Sequence, residues 1–223
     1  MSNESFSLYA PLQAESDASE LQRVIDKLLE EGFSTERTGD SRECRYSSRE
    51  TDFDYSNADF DSAIDEIKDG GIGSIQLWRD EDFEFTVTFN LEGYVYQDQS
   101  NVAILFDPVY FRRDSDVGFE ENISTVLKLA EIVFETLRPP YLTSLTHFED
   151  QNYGINSLED PINHAFWLIC VSDDYRELDA DSINAWGVRD LENGKMLVLS
   201  DDWINNPTGE MSREEAEKRL WEK

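Results

Sequence analysis

Two histidines, two cysteines and several grouped carboxylates are the side chains here whose types could support chemistry. His147 stands just ahead of Glu149 and Asp150, a grouping a proton relay could use, and His164 precedes an apolar run. A histidine does acid–base work only when a pocket holds it beside its partners. With 49 acidic residues in a chain of 223, composition alone places a carboxylate near any histidine, so both read as polar surface or strand-end residues. Asp52, Asp54, Asp59 and Asp61, in the run DFDYSNADFD, superficially resemble a calcium loop. Begun at Asp52, such a loop wants glycine at its sixth position and glutamate at its twelfth; the chain has Asn57 and Ala63 there. Phe53, Tyr55 and Phe60 fit a loop leading into an amphipathic helix instead.

The remaining motifs are equally bare of chemistry. Gly70-Gly71-Ile72-Gly73 follows a helical pattern, whereas phosphate-cradling glycines precede a helix, and no lysine of the P-loop type adjoins it. No G-x-S-x-G nucleophile motif occurs. Cys170 lies in an apolar strand pattern, where a buried, inert thiol is usual, and two distant cysteines build neither a disulfide framework nor a metal site. Of the tryptophans, Trp78 and Trp167 read as core or edge packing. Trp186 and Trp203, in polar surroundings, are the two assigned a binding role. The expectation is therefore no catalytic residue, no metal and no cofactor, with Trp186 and Trp203 as binding residues.

Charge is the dominant property of the whole chain. Its 19 basic residues against 49 acidic ones leave a net −30 and a pI near 4.1. The acids are spread along the entire sequence, and only 6 of the basic residues are lysine. A binder of basic partners would use such a field for steering. Dispersion with few lysines fits adaptation to high salt better, where a Debye length of about 3 Å at 1 M mutes self-repulsion. Nonspecific nucleic-acid binding is not expected, because phosphate contacts need a basic surface. No run approaches the roughly 20 apolar residues of a membrane helix, and the first residues have neither the basic nor the apolar region of a signal peptide. A cytoplasmic location is expected.

Residues 1–223 read as a single α+β domain, a largely antiparallel sheet with about three main helices packed on it. Phe6, Leu8 and Ala10 alternate with polar neighbours as a first strand. Leu21, Val24, Ile25, Leu28 and Leu29 form one helical stripe, with Asp17 as its N-cap and Gly32 as its stop. Residues 33–46 suggest two short strands, and 47–55 a loop. Asn57 or Asp59 opens a second helix closed at Gly70-Gly71. Ile75 and Leu77, then Phe83, Phe85, Val87 and Phe89, make a hairpin around residues 80–82. Residues 102–111 are strand-like, with Pro108 either confining them to an edge or splitting them. Ile123, Val126, Leu127, Ala130, Val133, Phe134 and Leu137 mark a third helix, ended by Arg138-Pro139-Pro140. A strand over 141–146, an apolar strand over 165–171 and an exposed acidic connector over 172–183 follow. A hairpin with Asn193-Gly194 as a type I′ turn comes next, then a C-terminal helix, 212–222, expected to dock loosely.

From the third helix onward the pattern resembles an immunity-protein family of polymorphic toxin systems. The features that carry it are the long apolar helix, a strand, the Trp-containing strand Trp167 to Ser172, and the hairpin Leu191 to Asp201 with Gly194 at its turn. They span about 100 residues, chiefly Ile123 to Pro207. The resemblance implies a small cytoplasmic α+β protein that binds and blocks a cognate toxin-like domain without catalysis; it assigns no functional residue. The expectation is thus a soluble, non-enzymatic protein-binding protein adapted to high salt, with a toxin-like protein partner and neither nucleic acid nor membrane. Two alternatives stand beside it: a small enzyme with a His/carboxylate pocket around His147 or His164, and an acidic protein of some other role. An enzyme would hold one of those histidines in a concave pocket; a binding module would expose a patch near Trp186 or Trp203.

Overall fold

The computed structural model describes residues 6–12, 19–36, 43–91, 100–111, 119–145, 167–175, 185 and 187–198. The strands are β1 (Phe6–Pro11), β2 (Glu43–Ser48), β3 (Ser56–Asp59), β4 (Ile72–Asp80), β5 (Phe83–Asn90), β6 (Asn101–Phe106), β7 (Tyr141–Leu145), β8 (Leu168–Ser172), β9 (Gly187–Leu191) and β10 (Gly194–Val198). The helices are α1 (Ser19–Glu30), α2 (Phe60–Gly70) and α3 (Phe119–Leu137). All ten strands join one sheet in the order β3-β2-β4-β5-β6-β1-β7-β8-β10-β9, and every pairing is antiparallel. The α+β class follows directly.

Strand alternation divides the sheet into two unlike faces. On one, Leu8, Ile104, Val87, Phe85 and Ile75 meet the apolar stripes of the helices in one continuous core. Leu21, Val24, Ile25 and Leu28 supply the α1 stripe and are all but completely buried. Removing such a side chain from water stabilises by about 1.5–3 kcal/mol. Helix α3 lies across β1, β7 and β8, and α2 across β2 and β4. Aromatic rings fill the centre, with Phe33 edge-on to Phe85 at 5.3 Å and Phe106 edge-on to Phe111 at 5.9 Å. The face opposite the described helices changes character along the sheet. Across β6, β1, β7, β8 and β10 it is apolar and buried, built of Ala103, Tyr9, Tyr141, Ile169, Val171 and Leu197. Across β2, β4 and β5 it is mixed, with Arg45, Ser74, Gln76, Thr86 and Thr88 beside the buried Ile72 and Trp78.

Local chemistry sets the element ends. The Asp59 side chain accepts from the Asp61 N–H and caps α2, while Gly71 ends it at φ 70°. The aspartate run of residues 52–61 is thus divided between a turn and a helix cap, and no acid, histidine and cysteine grouping able to hold a metal occurs among the described residues. Pro108 splits its segment: β6 is an interior strand, and a 3-10 turn over Pro108–Phe111 follows it. Residues 47 and 48, expected in a loop, are buried and continue β2, and Asn57, one of two expected helix starts, belongs to β3.

The β9–β10 turn also differs from expectation. Gly194 pairs with Leu191, so Glu192 and Asn193 are the central residues, and neither has positive φ. A type I′ turn needs positive φ at both, so this is not one. Gly194 is required by crowding, since a Cβ there would stand 2.1 Å from the Val171 carbonyl oxygen of the neighbouring strand. The expected N-cap Asp17, the acidic connector beyond Tyr175 and the C-terminal helix lie outside the described residues.

Candidate functional site

Strand β2 inherits its orientation from two buried neighbours. Cys44 and Tyr46 face the helices, and the Tyr46 hydroxyl donates to Glu66 on α2 at 2.9 Å. Burial, with that bond, pushes the Tyr46 phenol up to about 12. Arg45, between them, must point to the face opposite the described helices. Gln76 does so for the same reason, lying between the buried Ile75 and Leu77. Arg45 donates to the Gln76 side-chain oxygen at 3.2 Å, and its guanidinium lies 4.7 Å from the centre of the Tyr55 ring. Such a stack contributes about 0.5–1 kcal/mol at an exposed position. Beside it, the hydroxyls of Ser74 and Thr88 share a hydrogen bond of 3.0 Å.

Tyr55 is delivered by the turn between β2 and β3. Thr51 closes that turn twice, its hydroxyl accepting from the Ser48 N–H at 3.0 Å and donating to the Ser48 carbonyl at 3.1 Å. The N–H groups of Asp52, Phe53 and Asp54 donate to the carbonyls of Arg49, Ser48 and Thr51 at 2.9–3.1 Å. These bonds hold Asp52 at φ 52° and Phe53 at φ 63°. Aspartate tolerates the left-handed region; phenylalanine does so uncommonly, at a cost of about 1–2 kcal/mol. That cost would normally be offset by burial, yet Phe53 is 44% exposed and Tyr55 47% exposed. The result is a hydrogen-bonded turn on which both rings are partly exposed, the Tyr55 ring stacked on Arg45, which Gln76 holds on the sheet.

A concavity lies between α1, α3 and β9. It has a volume of about 810 Å³ and is lined by Lys27, Glu31, Lys128, Glu131, Glu135 and Arg189, among others. Its charges pair across the helices: Lys128 with Glu31 at 3.0 Å and Arg189 with Glu131 at 2.7 Å. Burial holds the Glu131 carboxyl above the usual carboxylate range against the opposing pull of Arg189, with Glu135 and Glu31 adding to the rise. Arg189 thereby ties the edge of β9 to the middle of α3, and the groove works as a seam. Neither cysteine offers a nucleophile: burial, with Asp59 adding to it, pushes the Cys44 thiol up to about 11, and burial likewise raises that of Cys170 well above the ordinary thiol value.

The residues singled out from the sequence fare unequally. Trp78 and Trp167 are buried, as packing residues should be. Trp186, Trp203, His147 and His164 all lie outside the described residues. Phe53 and Tyr55, read in the sequence as a run-in to a helix, instead form an exposed pair with Arg45. The signal was present in the sequence: two aromatics in a stretch with neither a helical nor a strand period to bury them. Among the described residues, no helix is long and apolar enough to cross a membrane.

No protein-family model matches this chain, and no curated protein does. Among solved structures it is similar to the Pseudomonas aeruginosa T6SS protein PA0821, at 12% identity and a TM-score of 0.46, over 87% of this chain and 67% of that one. A likeness at that level is a loose one of architecture.

Proposed function

We propose that this chain is a non-enzymatic protein-binding protein, an immunity-like inhibitor that occludes a toxin-like domain in a high-salt interior. The observation that carries the reading is the exposed pair Phe53 and Tyr55, held on a hydrogen-bonded turn with Arg45 stacked behind. Aromatic residues and arginine dominate the energetics of protein interfaces, because they bury much surface for little lost rotamer freedom. A turn fixed before binding has little entropy left to lose on association. The likeness of the C-terminal half to an immunity family supports the inhibitory role, and the dispersed charge of −30 supports the high-salt setting.

The test is a pull-down from the native cells at multimolar salt, run in parallel with wild-type chain and with the double variant Phe53→Ser/Tyr55→Ser. A specific protein retained by the wild type and lost by the variant is the expected outcome. Identical recoveries, or no specific protein at any salt concentration, would remove the reading.

A further inference from the structure

We draw no further inference here: the strongest candidate, the concavity of about 810 Å³ between α1, α3 and β9, already pairs Lys128 with Glu31 and Arg189 with Glu131 across its seam, and nothing in the structure shows what would cover it.

Discussion

Phe53 is half-exposed and occupies a backbone region that costs a side-chain-bearing residue energy, so its replacement separates backbone strain from side-chain contact. Phe53→Gly removes the left-handed strain and returns part of it as chain entropy. It is expected to raise stability by about 0.5–1 kcal/mol in chemical denaturation. A loss of stability would make Phe53 a fold residue and weaken its assignment to binding. Gly194 is the opposite case. Gly194→Ala forces a methyl group toward the Val171 carbonyl and should cost about 2–3 kcal/mol, measured the same way. The sequence pointed to Gly194 as a turn residue; its actual reason is the closeness of the next strand, a distance no local pattern encodes. The Cys170 thiol was legible from sequence because its strand is apolar, whereas Cys44 lies in a polar-flanked strand that sequence did not mark as buried. With both cysteines buried and their thiols raised, neither should react with a thiol reagent until the chain unfolds, and fast labelling of either in native protein would contradict their burial.

At the level of elements, legibility tracked hydrophobic period. The stripes of α1 and α3 and the alternation of β5 were clear because one face of each is buried throughout. Strand β3 was missed because three of its four residues, Ser56, Asn57 and Asp59, are polar and exposed at the sheet edge; only its pairing with β2 makes it a strand. Strand β9, at the other end of the order, has an exposed pair, Arg189 and Asp190, and Arg189 ties it to Glu131 on α3. That tie has a pH signature. The folded carboxyl of Glu131 lies above its ordinary 4.5, so the folded chain binds more protons than the unfolded one as pH rises past that value. Stability from this group is therefore greater at low pH and falls as pH climbs from 4.5 through the raised value. Relative to Glu131→Gln, the wild type should lose stability across that window in urea titrations at stepped pH. A difference that rises with pH would show that the Arg189 pair outweighs burial.

For the whole molecule, composition gave the charge and the absence of a long apolar run, and helical and strand periods gave the α+β class. Composition could not say which of many acids flank a contact surface, because that depends on a turn whose geometry rests on Thr51 and Ser48. Nor could it separate salt adaptation from partner steering, since both use the same carboxylates. Stability against KCl separates them. A chain of net −30 adapted to salt should gain markedly in unfolding temperature from low salt to several molar as self-repulsion is screened. An unchanged temperature would leave the acidity to the partner alone. The docking surface itself is tested most directly by placing a photo-crosslinking phenylalanine analogue at position 53, at 55 and, as an exposed control in another loop, at 175, then irradiating the native cells. A discrete protein adduct from positions 53 and 55, absent from 175, is the expected result; no adduct from 53 and 55, or the same adducts from all three, would contradict it.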